Sequence, residues 1–356
     1  MRCCPRLVAV LLPAVAVIAG CGSTAPASAP LSPAAQPARA PALAVRPAGR
    51  VLRVGPLADA VAADPHAHVF AIAVHDPSRL ILVGARTGRI HERVAIPTGT
   101  LRAGAPPPAP AVFLVPAETG RHALAVQPAL RTPAGQRSPG AALVLGRTFV
   151  ADAHNAAVAV LDRGRPTATL PATLHPGGLA AADFDRRLAV VATQERTLAL
   201  YDPRTLRRLA QLPAGAGPTT VVAAADRLYV ADTRGDAILV FATDAGRRPL
   251  ARAGRIPLPR GSAPYGLALD PVRHRLWVTL TARNELISLP IDGRAGPAKR
   301  LPTVRQPDAV AVDSTLGTVA VTGRAQGVLQ LIDANAAAGA EDSARAALHR
   351  PTRRAG

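Results

Sequence analysis

The sequence predicts an all-β fold: a seven-bladed β-propeller of four-stranded antiparallel blades, with an N-terminal strand completing the last blade. Three observations predict it. A phrase of paired apolar strands recurs with a period of about 40 residues, the spacing of one propeller blade. A second ladder of strands, each ending near a proline, closes successive units. An orphan strand precedes the first unit.

The opening pairs are seen in Phe70-Ala-Ile-Ala-Val-His-Asp-Pro followed by Leu80-Ile-Leu-Val, and in Tyr265-Gly-Leu-Ala-Leu-Asp-Pro followed by Leu276-Trp-Val-Thr. Similar pairs begin near Ala111, Ala141, Leu179, Thr220 and Ala309, which makes seven units. The closing ladder runs Ile96-Pro97, Leu170-Pro171, Leu212-Pro213, Ile256-Pro257 and Leu301-Pro302. The step from Pro97 to Pro171 is about two periods, so one closing strand near residue 134 is degenerate. One period before Pro97 lies Val51-Leu-Arg-Val54, a strand with no unit of its own. The last unit has strands at Ala309, Val319 and Val328 but no fourth, so Val51 to Val54 fills that place and the ring has no free edge. Short strands between Gly, Pro and Asp turns, without helical periodicity, support the all-β reading.

Outside the repeat, residues 1–20 read as a signal peptide: Arg2 and Arg6, then an apolar stretch Leu7 to Ala19 too short to span a bilayer. Val17-Ile-Ala-Gly-Cys21 resembles the bacterial lipobox, which implies that Cys21 is lipidated and anchors the protein to the cell membrane, facing the extracytoplasmic side. The alternative is an ordinary secretory signal cleaved near Ala27-Ser-Ala29. Cys3, Cys4 and Cys21 are the only cysteines, so cleavage and lipidation leave no thiol for a disulfide, a nucleophile or a Cys-based zinc site. Residues 21–50, rich in Ala, Pro and Ser, read as a tether that does not fold alone. The propeller is expected over 51–334 and a basic Ala/Arg-rich tail over 335–356.

The net charge is +19 and aromatic residues make up 3% of the chain. Arginines are scattered over the turns, and Lys299 is the one lysine. Such a field suits an anionic wall or membrane polymer. Specific nucleic-acid reading requires a motif or an aromatic platform, and the composition argues against it.

Leu228-Tyr-Val-Ala-Asp232, Leu276-Trp-Val-Thr279 and Phe149-Val-Ala-Asp152, with third strands ending Leu200-Tyr-Asp202, Val160-Leu-Asp162 and Leu331-Ile-Asp333, resemble the YVTN-type, or YncE-like, seven-bladed propellers. The resemblance covers residues 51 to 334. It implies a ring of four-stranded blades and an extracytoplasmic binding or scaffolding role. Lactonase-like proteins are among the relatives of that family.

Asp202-Pro203 and Asp270-Pro271 read as turn formers, the carboxylate accepting backbone N–H groups while proline presets φ. The default functional face is the one formed by loops entering the innermost strands and loops between second and third strands. Binding-face candidates are His66, His68, Arg102, His154, Asp232, Asn284 and Arg324. A weak metal set would be Asp64, His66 and His68, since imidazole and carboxylate suit zinc, although a solvated loop explains them equally well. No cofactor is expected. For a lactone hydrolase in the channel mouth, His175, Tyr265, Glu285, Arg305 and Asp308 are the polar groups able to act as base or oxyanion partner. No phosphate loop, nucleophile elbow or His-Glu-x-x-His motif is present. The expected function is therefore a membrane-tethered, non-catalytic binding or assembly module with an unidentified protein or envelope polymer as partner. The alternatives are the lactone hydrolase and attachment to anionic polymers through an arginine-rich surface.

Overall fold

A computed structural model describes residues 31–335 apart from 32, 75–78, 96–109, 115–123, 129–139, 153–155, 163–164, 171–174, 183–185, 244–247 and 292–297. Residues 1–30, where a signal peptide and the lipidated Cys21 are expected, together with Arg102, His154 and residues 336–356, lie outside the described residues. Strand β1 (Arg50–Arg53) comes first. The next sheet is β2 to β5 (Ala60–Asp64, Val69–Val74, Arg79–Gly84, Ile90–Ala95). A two-stranded sheet follows, β6 (Pro110–Leu114) and β7 (Leu124–Pro128). The remaining sheets begin with β8 to β11 (Ala141–Val144, Arg147–Asp152, Ala157–Asp162, Arg165–Leu170) and β12 to β15 (Pro176–Ala182, Arg187–Ala192, Thr197–Tyr201, Arg208–Pro213). Then come β16 to β19 (Pro218–Ala224, Arg227–Asp232, Ala237–Ala242, Ala251–Pro257) and β20 to β23 (Pro264–Asp270, Arg275–Leu280, Glu285–Pro290, Lys299–Pro302). The last three strands are β24 to β26 (Pro307–Asp313, Thr318–Gly323, Val328–Asp333).

The blade count departs from the sequence expectation. Among the described residues there are six four-stranded antiparallel sheets, so the fold is a six-bladed propeller rather than a seven-bladed one. Among the described residues the second of the seven sequence units contributes the β6–β7 pair, of which β6 meets β2 and β3. Pro110 faces Pro128 at one end of the pair, and proline has no N–H to give to a ladder.

Ring closure follows the expected scheme. Strand β1 pairs antiparallel with β26, Arg50 opposite Leu331 and Arg53 opposite Val328, completing a blade otherwise made of β24 to β26. Gln330, fully buried on β26, accepts a hydrogen bond from Val304 N–H (3.0 Å) and donates to the carbonyls of Ala48 (2.7 Å) and Pro302 (3.1 Å), which pins the chain leading into β1. The first blade is shifted by one strand: Phe70 to Val74 is its second strand, because Ala60–Asp64 pairs with it on the inner side. The pattern Asp64-Pro-His-Ala-His-Val is a hairpin of the same kind as Asp313-Ser-Thr-Leu-Gly-Thr.

Packing between blades explains the continuous apolar runs of the second strands. A sheet sandwiched between two others buries both faces, so successive residues point into different cores. Leu228 and Val230 of β17 pack with Val191, Leu198 and Leu200, whereas Tyr229 and Ala231 pack with Leu276 and Val278 of the next blade. Fourth strands are the most exposed, as in β15 and β19. At the inner edge neighbouring blades approach closely: a Cβ on Gly178 would lie 2.7 Å from Val221 N, so a larger residue there would push β12 away from β16.

Candidate functional site

The innermost strands are parallel around the ring, which sorts the connections onto two rims. The upper rim carries the loops that enter each innermost strand and the loops between second and third strands. The lower rim carries the hairpins joining first to second strands, and the loops joining third to fourth.

Upper-rim residues tie one connection to another. Asp232, 4% exposed, accepts N–H groups from Ala216 (3.0 Å), Gly217 (2.8 Å) and Gly235 (3.1 Å), holding the loop into β16 against the loop after β17. Asp236 accepts from Gly261 (2.6 Å) and Ala263 (3.0 Å), reaching into the next blade. Asn284 repeats that latch one blade on, its Oδ1 accepting Gln306 N–H at 3.0 Å. Asp236 and Asn284 share a left-handed backbone, φ 47° and 52°, which short polar residues tolerate better than branched ones. Their carbonyls also accept the amides of Leu258 and Thr303, at 2.9 and 2.8 Å. Asp232 and Asn284, expected on the binding face, therefore stand on it and hold its loops in position.

The segment before β1 lies across this rim. Arg234 Nη2 donates to the carbonyl of Pro33 at 2.7 Å, and Asn284 Nδ2 to that of Pro41 at 3.1 Å. Arg305 directs Nε and Nη2 to the carbonyl of Ala40, each at 3.4 Å. Thr281 Oγ1 accepts Ala38 N–H at 3.2 Å. Ala35 and Ala40 are 4% and 2% exposed, and Gly217 makes room for the first: a Cβ there would stand 3.0 Å from the Ala35 Cβ.

The hydrolase candidates are spread over three blades. His175 precedes β12 with φ 55°, and its carbonyl takes both the amide (3.0 Å) and the hydroxyl (2.8 Å) of Thr193. Tyr265 is half-buried on β20, and Asp308 is buried at the start of β24. Glu285 meets Arg283 at 3.3 Å. Arg305 spends its guanidinium on Ala40 and has its own amide held by Gln326 Oε1 at 3.0 Å. Arg324 lines a cleft of about 350 Å³ with Arg53, Leu57 and Gln326; its Nε is buried without a hydrogen-bond partner among the described residues.

The histidine pair sits on the other rim. Because β2 is the innermost strand of its blade, His66 and His68 fall in the β2–β3 hairpin rather than in an entering loop. Asp64 turns its Oδ1 to the amides of His66 and Ala67, both at 3.0 Å. His68 Nδ1 lies 2.9 Å from Oδ2 of Asp313, a fully buried carboxylate of the neighbouring blade. Among the described residues no three His, Cys, Asp or Glu groups gather as a metal would require. The lower rim also holds Asp270, whose carboxyl is pushed above the usual range by burial although Arg273 bridges it at 3.2 Å. Asp202 is held below that range, chiefly by the amide of Arg204, with Thr205 N–H as a further donor. Both serve the turns expected of them.

Sequence reasoning missed Thr281, Gln330 and Asp313. Thr193, Thr233 and Thr281 each follow a second strand and bond to an entering-loop carbonyl, those of His175, Pro264 and Ala263. That recurrence was a readable signal.

No known protein family and no curated protein matches the chain. Solved structures do resemble it. A streptogramin B lyase aligns with TM-score 0.58 and 12% identity, covering 81% of this chain and 95% of the lyase. The Swd1 β-propeller domain of Myceliophteria thermophila aligns with TM-score 0.61 and 13% identity, covering 80% and 99%. A chain of the mitotic checkpoint complex gives 0.61 and 15%, covering 92% and 98%. The shared fold is the β-propeller. At these identities the likeness extends to the propeller fold alone, and the functions of those proteins stay with them.

Proposed function

We propose that the chain is a membrane-tethered extracytoplasmic propeller that acts as a non-catalytic binding or assembly module. The lipobox at Val17 to Cys21 supports the tether and the location. The observation that carries the binding role is the chemistry of the upper rim. Its side-chain donors, Arg234, Asn284 and Arg305, point outward from loops that are themselves hydrogen-bonded in place, and each meets a main-chain carbonyl. Donors fixed before a ligand arrives lose little conformational entropy on binding it. The hydrolase candidates are instead distributed over three blades, His175 ahead of β12, Tyr265 and Glu285 in the β20 blade, and Arg305 and Asp308 around the start of β24.

Crosslinking the full-length protein in its native membranes and recovering adducts tests this reading. A specific adduct that disappears in an Arg234→Ala/Arg305→Ala variant is the expected outcome. Hydrolysis of a lactone and ester panel by the purified protein, with no adduct recovered, would overturn it.

A further inference from the structure

We propose that the upper rim from the β16 blade to the β24 blade is a receptor site for an extended, alanine- and proline-rich peptide, occupied in cis by residues 33–48 of this chain. The inference rests on the binding role proposed above and specifies its ligand. Three features make the site peptide-like rather than a fortuitous contact. First, recognition is directed at the main chain: the rim supplies donors to the carbonyls of Pro33, Ala40 and Pro41 and an acceptor to the amide of Ala38. Second, the buried side chains of the segment are methyl groups, Ala35 and Ala40, the former seated beside Gly217. Third, Pro33, Pro37, Pro41 and Pro47 favour the polyproline II conformation, whose carbonyls have no internal partners and are free to accept. A polyproline II segment of eight steps, as from Pro33 to Pro41, would span roughly 25 Å at about 3.1 Å per residue, enough to reach groups on three blades. This is the mode by which preformed extended segments bind at low entropic cost.

Three of the groups that meet the segment, two donors and one acceptor, are held in place by separate bonds. Asn284 is oriented by Gln306 N–H through Oδ1, leaving its amide for Pro41; Thr281 donates its hydroxyl proton to Ala263, leaving a lone pair for Ala38; Arg305 is fixed at its backbone by Gln326. An external peptide must displace the segment in cis, which enjoys a high effective concentration because it belongs to the same chain. A site closed by its own tether opens only when a better ligand competes or when the tether is drawn away.

The test uses the full-length protein and a fluorescent synthetic peptide of sequence 31–48. Ala35→Asp with Ala40→Asp places two charges where the rim buries methyl groups, so the segment should leave, seen as faster tryptic cleavage after the exposed Arg39. That variant should bind the peptide saturably and at least about tenfold more tightly than the unaltered chain. Adding Asn284→Asp, which keeps the acceptor for Gln306 but removes the donor, and Arg305→Ala should weaken peptide binding at least about tenfold. Unchanged cleavage after Arg39, no saturable binding to the Ala35→Asp/Ala40→Asp chain, equal binding to both chains, or indifference to the Asn284 and Arg305 changes would each overturn the inference. A membrane adduct that persists while peptide binding fails overturns this inference alone; loss of both overturns the binding role as well.

Discussion

The two rims use the same residue types for different ends. On the lower rim, Asp64, Asp202 and Asp270 accept amides two or three residues ahead, so each carboxylate completes its own turn, and Asp313 does the same for Leu316 while also meeting His68 of the neighbouring blade. On the upper rim, Asp232, Asp236 and Asn284 accept amides 15 or more residues away, joining an entering loop to a second-to-third-strand loop. In a local turn the Asp carboxylate is directed back at its own hairpin. A bridge between loops leaves the opposite side of an amide such as Asn284 facing outward, and it is there that the segment 33–48 is met. The difference between the rims is thus one of connectivity rather than composition.

The largest effect that would break the contrast is expected at Asp232. Asp232→Ala removes the acceptor of three amides in a buried setting and should cost about 3 kcal/mol in denaturant unfolding, more than any single lower-rim carboxylate. Gln330→Ala should follow, at about 2 kcal/mol, because it leaves Val304 N–H and the Ala48 carbonyl without their partner. The loss should come with faster exchange of the amides of β1, since Gln330 secures the chain just ahead of it.

Asp270→Asn should be smaller and distinctive in pH. Burial raises the folded-state pKa of Asp270 above its unfolded value, so the folded state favours the proton, and the contribution present below the unfolded pKa is lost as pH rises through the folded one. Asparagine keeps an acceptor for the Arg273 amide and removes that titration. The variant should therefore lose less stability than the parent between about pH 4 and pH 7, read from unfolding curves at the two values. Asp202→Ala should cost the least, below about 1 kcal/mol, because its bonds are exposed. Its pKa is depressed, so its contribution is present above the ordinary carboxylate value and fades as pH falls through the lowered one. If Asp202→Ala proved as costly as Asp232→Ala, the distinction between local and bridging carboxylates would fail.

Much of the architecture was legible because blade packing writes itself into sequence. The two-sided burial of β13, β17 and β21 produces the runs at Leu188, Leu228 and Leu276, and closure by the strand near Val51 followed from counting. The second unit misled the count because two apolar runs look like half a blade whether or not two more strands join them. The register of the first blade misled for a related reason: Ala60-Val-Ala-Ala-Asp is short and alanine-rich, so the stronger Phe70 run stood in for it, and His66 and His68 were assigned to the wrong rim. At the site, Asp232 and Asn284 were found by loop position. The role of residues 33–48 was not legible, since an Ala/Pro segment shows no periodicity that distinguishes a free tether from one held through its carbonyls.

Hydrogen exchange over residues 33–48 of the full-length protein tests the central claim most directly. The amides of Ala38 and Ala48, bonded to Thr281 and to the Pro302 carbonyl, should exchange well below the rate of an unstructured peptide. Protection at Ala38 should vanish in the Asn284→Asp/Arg305→Ala chain while the strands of the blades stay protected. Exchange of Ala38 at the unstructured rate in the unaltered protein would contradict the account.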